Sequence, residues 1–245
     1  KGENAYFLAW TTTPWTLPSN VALTVNPDET YCKVKAVDGY TYYMAEALLD
    51  TVLGKLKTDD APAYEILESM KGKELEYREY EPLFACTGEF VAKSGKKAHF
   101  LTCADYVTMT DGTGIVHTAP AFGADDLKTG RRYDLPFVQF VNGKGEMTEN
   151  TPYAGKFVKE ADPVILKDLK EMGLLFDAPN FEHEYPFCWR CDTPLIYYAR
   201  DSWFIEMTKV RDDLIKNNNT INWIPESIGK GRFGDWLENV QDWGI

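Results

Sequence analysis

The chain of 245 residues is 44% hydrophobic and 26% charged, a globular composition that excludes a disordered segment or a fibre and suits one large domain or two small ones. Its 38 acidic and 26 basic side chains leave a formal net charge of -12, which argues against a chain whose main work is to neutralise nucleic-acid phosphates. No apolar run approaches the roughly 20 residues that span a bilayer and KGENAYFLAW lacks the apolar stretch of a secretion signal, so the expectation is a cytoplasmic protein without membrane contact.

Aromatic and β-branched residues gather in short runs bounded by Gly, Asp and Pro, which predicts strands; longer runs without such breaks predict helices. In chain order the reading is a strand over Ala5–Thr11, a strand over Thr30–Val37, a tight turn at Asp38-Gly39 and a strand over Tyr40–Met44. A helix over Ala45–Leu56 follows, then strands over Ala98–Thr108 and Gly114–Thr118 and a helix over Asp125–Tyr133. A strand over Phe137–Val141 and helices over Asp162–Met172 and Thr208–Asn217 complete the prediction. The fold class expected is β-rich α+β, a barrel-like body with peripheral helices. The character changes after about residue 180, where HEYPFCWRCDTPLIYYARDSWFIEM gives way to a polar helix and a Trp-rich tail. Boundaries at 1–180, 181–205 and 206–245 describe this best, and the ending WLENVQDWGI carries no terminating signal, as expected of a cut fragment. Charge is uneven: residues 27–90 hold 14 acidic and 7 basic side chains, net -7, whereas residues 91–132 hold 6 basic and 4 acidic, net +2.

The first string that can carry chemistry is AWTTTPWTLPSN, residues 9–20, where three threonines end a strand that Pro14 stops. Their hydroxyls and free N–H groups can hold a carbonyl, a ribose hydroxyl or a water, or can simply bond their own backbone. The second is DGTGIVHTAPAFGADD, residues 111–126. An Asp at a helix start is commonly an N-cap; alternatively Asp125 or Asp126 caps and the other faces a cleft to bind a cation such as an ammonium. His117 is either a satisfied structural residue or part of the site. The third is Cys188-Trp189-Arg190-Cys191, with the spacing of a zinc knuckle. A tetrahedral site needs four ligands and no second C-x-x-C exists; His183 is a candidate third ligand, and Cys86 and Cys103 are distant and unpaired in spacing. The pair is thus half a site or none, and five cysteines in a chain of this size do not suggest a disulfide framework. Gly229-Lys230-Gly231-Arg232-Phe233-Gly234 matches a dinucleotide fingerprint only formally, because Pro225 and Glu226 precede it and no βαβ unit fits. With no phosphate loop, nucleophile elbow or His-Glu-x-x-His string, the mechanism expected uses neither a covalent nucleophile nor a catalytic metal.

Together, TTTPWTLPSN, GTGIVHTAP with its following Gly-x-Asp-Asp, and CWRCDTPLIYYARDSWF resemble the editing insertion of class I aminoacyl-tRNA synthetases for branched aliphatic amino acids, most closely its isoleucine-specific branch. The strings are correctly ordered and span nearly the whole chain. Relatives for valine and leucine carry an Arg and an acidic residue where this chain has Thr13 and Trp15. The resemblance implies that Trp10, Thr11, Thr12 and Thr13 line an editing pocket, with the threonines carrying the reaction. It also implies that His117 forms its wall, that Asn20 lies near it and that Asp126 binds the substrate's α-ammonium. Many bacterial relatives have Gly-His where this chain has Ala121-Phe122, so a contact made by that side chain is not transferred. Residues 206–245 would lead back to a catalytic core, and partner cysteines for Cys188 and Cys191 would lie upstream of residue 1, so the half site is expected to be metal-free here.

The physical logic is that one methylene is worth only about 1–3 kcal/mol of discrimination, a limit known from synthetases of this very group, so a second, smaller pocket must reject the smaller amino acid. The implied reaction is hydrolysis of the ester joining valine to the 3′ end of an isoleucine tRNA, without a cofactor and with zinc possible only in a longer enzyme. An aspartate paired with an ammonium should have a lowered pKa, which assigns Asp126 to binding. The alternatives are a non-catalytic tRNA-positioning module and an editing domain of the valine branch that removes threonine. The implied partners are the tRNA 3′ end and the rest of the synthetase chain, and a monomer is expected.

Overall fold

The computed structural model describes residues 2–58, 62–180 and 184–245, which form two compact units, Lys1–Tyr198 and Ala199–Ile245. In the first unit the elements run β1 (Tyr6–Phe7), β2 (Ala22–Val25), β3 (Thr30–Ala36), β4 (Thr41–Ala45), α1 (Leu49–Leu53), β5 (Tyr64–Lys71), α2 (Gly72–Leu75), α3 (Ala85–Ser94), β6 (Phe100–Cys103), β7 (Ile115–Thr118), α4 (Ala124–Arg132) and α5 (Val158–Glu171). A 3-10 helix, Pro14–Ser19, lies between β1 and β2.

The strands form two open sheets, not the barrel-like body expected: a four-stranded sheet in the order β1-β4-β3-β5 and a three-stranded sheet in the order β6-β2-β7. The α+β class holds, but no ladder joins the two sheets among the described residues. The predicted strand over Ala5–Thr11 shows why. Leu8 gives its N–H to Tyr43 in the first sheet, and Trp10 gives its own to Ile115 in the second. The segment therefore crosses between sheets and spends only Tyr6–Phe7 in a ladder, parallel to β4. Phe137–Val141 forms no ladder beyond a single bridge between Val141 and Met147. Ala45–Leu56 is a broken run, with a 3-10 turn on each side of the short α1.

The Asp38-Gly39 turn is present between antiparallel β3 and β4, with Gly39 in the left-handed region at φ +90. There the Ala36 N–H bonds the Tyr40 carbonyl and the Asp38 carboxylate accepts the Tyr40 N–H, closing the turn as its sequence predicts. Helix α5 begins a turn earlier than predicted and carries Pro163 within it. It ends at Gly173, whose φ of +70 reverses the chain while the Leu174 N–H bonds the Leu169 carbonyl.

Strand β2 is buried on both faces, with every residue inside, and so lacks the alternation by which strands are recognised. Leu23 and Val25 join the core between the sheets, where they meet Tyr43, Met44, Leu101 and Ile115. Ala22 faces the other way, toward Phe100, Leu135, Val138 and Phe140. Thr24, fully buried beside it, bonds the hydroxyls of Thr102 at 2.9 Å and Thr118 at 2.5 Å, so three polar side chains are satisfied inside the sheet. A third apolar cluster packs α5, through Val158, Ala161, Ile165 and Leu169, against Trp15, Phe122 and Tyr153.

The second unit pairs β8 (Phe204–Ile205) with β9 (Trp243–Gly244) and contains α6 (Arg211–Asn218), α7 (Ser227–Lys230) and α8 (Arg232–Glu238). Its Gly-x-Gly-x-x-Gly string lies in α7 and α8, and no strand leads into it. A Cβ on Gly229 would stand 2.1 Å from the Trp223 ring, and one on Gly231 or Gly234 would meet a backbone oxygen at 2.6 or 2.5 Å. These glycines serve helix packing, which explains a match without a nucleotide site.

Candidate functional site

The threonine string, His117 and Asn20 come together because the chain folds back on β7. Pro14 opens the 3-10 helix, and the Thr16 N–H and hydroxyl both bond the Thr13 carbonyl, at 3.0 and 2.8 Å. That turn places the Thr16 hydroxyl 3.2 Å from the Thr13 hydroxyl and 2.7 Å from Nε2 of His117. Thr13 in turn contacts the Thr11 hydroxyl at 3.3 Å, and its N–H bonds that same oxygen at 3.0 Å. On the other side of the ring, Nδ1 of His117 lies 3.2 Å from the Asn20 amide nitrogen, which also bonds the Ala22 carbonyl at 2.8 Å. The Tyr80 hydroxyl donates to the Asn20 carbonyl oxygen at 2.5 Å. A continuous hydrogen-bonded chain thus runs from Thr11 through Thr13, Thr16, His117 and Asn20 to Tyr80.

Thr12 is exposed and stands outside this chain. Trp10 is held by its bridge to Val116, with Gly112 against its ring. A Cβ on Gly112, which has φ +73, would lie 2.7 Å from the indole. His117 is 7% exposed, and burial pushes its pKa down from 6.5 to about 4, so the ring is neutral at pH 7.

Asp126 is brought to the same strand by a different route. Gly123 is the N-cap of α4 and no side chain caps the helix, so the N-cap role considered for the aspartates is not realised. Asp125 is exposed and pairs with Lys128 at 3.0 Å. Asp126 instead reaches back to accept the Ala119 N–H at 3.0 Å, two residues beyond His117, with the Tyr106 hydroxyl 3.4 Å from its second oxygen. Glycine at 123 leaves room for this carboxyl, since a Cβ there would lie 3.0 Å from its carbon. Burial raises the Asp126 pKa from 3.8 to about 6, the Ala119 and Tyr106 hydrogen bonds pull it back, and the Asp125 charge adds to the rise. The direction is opposite to the lowered pKa expected of an ammonium-paired aspartate, and no lysine or arginine among the described residues forms an ion pair with this carboxyl.

The cysteine pair lies away from these groups. Cys188 accepts at its carbonyl the N–H groups of Cys191 and Asp192, a knuckle-like turn, and the Thr193 hydroxyl and backbone, then Cys188, hold the Cys191 thiol below its usual range. Among the described residues no third His, Cys, Asp or Glu joins the two sulfurs, so they do not fit four-coordinate zinc by themselves. His183, the suggested third ligand, lies outside the described residues.

Four contributors had no local signal of their own. Thr16 lies within the threonine string but was hidden by its more prominent neighbours, while Tyr80 and Tyr106 reach their partners across 60 and 20 residues. Asp162 of α5 accepts the Trp15 N–H at 2.8 Å from 147 residues away and fixes the start of the 3-10 helix. Phe122, where many relatives have another residue, packs edge-on against Trp15 at 5.0 Å and is core. A cavity of about 840 Å³ opens beyond His117 and Asn20, walled by Tyr42, Tyr80, Leu83 and Phe176, and neither the Thr11–Thr13 run nor Asp126 lines it. His117, Asn20 and Tyr80 thus border this cavity, whereas the Thr11–Thr13 run and Asp126 do not.

A buried neutral imidazole on β7, a row of threonine hydroxyls beside it and, just past the strand's end, a carboxyl with no ion pair to lysine or arginine among the described residues make up the candidate site. The model of the family described as tRNA synthetases class I (I, L, M and V) matches residues 20–245. The chain belongs to that family. It is 52% identical over 244 residues to the isoleucine-tRNA ligase of Clostridium novyi (strain NT) and 43% identical over 243 residues to that of Picrophilus torridus, covering 99% of this chain in each case. It spans 22% of the length of each of these relatives. Among solved structures it is similar to GlLeuRS-CP1, with a TM-score of 0.55 at 15% identity over 73% of this chain and 87% of that one. It also resembles the Plasmodium falciparum cytosolic leucyl-tRNA synthetase editing domain, with a TM-score of 0.51 at 14% identity over 68% of this chain and 76% of that one. The fold is thus that of CP1 editing domains, carried on a sequence similar to a segment of isoleucine-tRNA ligases.

Proposed function

We propose that this chain hydrolyses the ester between valine and the 3′-terminal adenosine of a mischarged isoleucine tRNA. The observation that carries this reading is Asp126, a largely buried carboxyl whose pKa burial raises, held by the Ala119 N–H just beyond the strand that carries His117. An α-ammonium placed there would neutralise it by a charge-assisted hydrogen bond and hold the ester in register. Water forms a bond to the ester carbonyl carbon, the bond from that carbon to the ribose oxygen breaks, and a water proton passes to that oxygen, releasing valine and uncharged tRNA. Thr11, Thr12 and Thr13 hold the water and the carbonyl, and Trp10, Asn20 and His117 shape the wall that excludes a larger side chain. His117 is not the general base, because both of its nitrogens are engaged and its pKa lies far below 7.

In this reading the chain is part of an ATP-dependent isoleucine-tRNA ligase of the cytoplasm, and the rest of that enzyme delivers the tRNA 3′ end. Editing needs no cofactor. Zinc at Cys188 and Cys191 would require ligands from outside the chain. The test compares hydrolysis of Val-tRNA(Ile), Ile-tRNA(Ile) and Thr-tRNA(Val). Selective release of valine supports the proposal, selective release of threonine replaces it with valine-branch editing, and no hydrolysis makes the chain a positioning module.

A further inference from the structure

The direction of every hydrogen bond in the chain from Tyr80 to Thr11 can be deduced from the two backbone carbonyls that anchor it. A carbonyl only accepts, so the Asn20 atom 2.8 Å from the Ala22 oxygen is the amide nitrogen, and its second hydrogen points at Nδ1 of His117. Nδ1 is therefore an acceptor and the proton of the neutral ring is on Nε2. The Thr13 carbonyl likewise takes the single proton of the Thr16 hydroxyl. Thr16 then accepts from Nε2 and from the Thr13 hydroxyl, and Thr13 accepts from Thr11. With its proton committed, Thr13 keeps one free lone pair. Thr11, which also accepts the Thr13 N–H, keeps one as well.

We propose that Tyr80, through Asn20, is a positioning residue that locks His117 as the Nε2–H tautomer and so keeps the Thr16 hydroxyl on the Thr13 carbonyl, the bond that holds the Thr13 and Thr11 hydroxyls in place with lone pairs free for a bound water. A water that donates to these hydroxyls turns its own lone pair outward, toward an ester carbonyl, which is the orientation that attack requires. Tyr80 does this without touching the substrate: its hydroxyl occupies the Asn20 carbonyl oxygen, and without that bond only the Ala22 carbonyl opposes the turn of the amide that would offer oxygen to Nδ1. An Nδ1–H ring would leave Nε2 as an acceptor and draw the Thr16 proton away from the Thr13 carbonyl, loosening the turn that places the Thr13 and Thr11 hydroxyls. The 7% exposure of His117 and its pKa of about 4 keep protonation from bypassing this control near neutrality.

The part of this inference that concerns water rests on the proposed ester hydrolysis; the tautomer does not. The test is long-range proton–nitrogen NMR of the intact chain labelled at histidine nitrogens, with His117 assigned among the three histidines by the loss of its signals in His117→Gln. The expected wild-type spectrum has a protonated Nε2 and a bare Nδ1. Tyr80→Phe is expected to give an Nδ1–H population and to slow deacylation on the order of a hundredfold with little change in KM, the penalty typical of a misplaced reactant. A wild-type Nδ1–H ring or tautomer mixture overturns the inference, whether or not the variant folds. A pure Nε2–H ring in folded Tyr80→Phe overturns the role of Tyr80. An Nε2–H ring in a chain that hydrolyses no ester leaves the tautomer assignment standing and removes the hydrolytic reading.

Discussion

His117 lies on β7 and Asp126 holds the backbone two residues further on, just past the strand's end, and burial is handled in opposite ways at the two places. At His117 both ring nitrogens have partners, those partners have partners, and the network closes on backbone carbonyls. At Asp126 one oxygen takes a backbone N–H, the other has a tyrosine at long range, and no lysine or arginine among the described residues supplies a counter-charge. A satisfied polar group is a structural element that fixes geometry. A buried charge without its partner costs stability, which makes it the stronger indication that a ligand completes the site.

That contrast can be broken first at Asp126. Asp126→Ala is expected to lower hydrolysis of Val-tRNA(Ile) by about ten- to a hundredfold, from the roughly 1.5–3 kcal/mol of a hydrogen bond to a charged group. Chemical denaturation should show stability unchanged or raised, and a loss of stability matching the loss of activity would make Asp126 a structural residue. His117→Ala should behave the other way round and lose about 2 kcal/mol in the same unfolding experiment, because it strips a donor from Thr16 and leaves an Asn20 N–H unpaired in the interior. An unchanged denaturation midpoint would show that the network adds nothing.

The two places also differ in sign with pH. Asp126 has a folded pKa of about 6, raised from 3.8, so the folded state holds the extra proton between those values; its contribution is present below 3.8 and is lost as pH rises through about 6. Asp162, also raised to about 6 by burial, acts in the same direction. His117 is lowered from 6.5 to about 4, so its contribution is present above 6.5 and is lost as pH falls through about 4. Unfolding midpoints from pH 4 to 6.5 should therefore rise more steeply with pH in Asp126→Asn than in wild type, and less steeply in His117→Asn; parallel profiles would contradict both assignments. The smallest effect is expected for Gly123→Ala, which places a methyl 3.0 Å from the Asp126 carboxyl carbon and should weaken binding of an ammonium ligand a few-fold by calorimetry.

Much of the site was legible because its groups lie in two local strings: the threonines with Asn20, and His117 with Asp126. Strand β2, which lies beside β7, was not read because VALTV is buried on both faces and has no alternation. The barrel failed on Ala5–Thr11, whose composition suits a strand although its N–H groups are shared between two sheets. Tyr80, Tyr106 and Asp162 could not be read at all, since each acts across a fold that sequence spacing does not reveal.

The central claim is that Asp126 exists to hold an ammonium, and calorimetry with a non-hydrolysable valyl-adenosine amide and its counterpart lacking the amino group tests it directly. Wild type should prefer the amino compound by at least about tenfold, equivalent to about 1.4 kcal/mol, and Asp126→Ala should bind the two alike. Equal affinity in wild type, or a preference that survives in Asp126→Ala, would contradict the account.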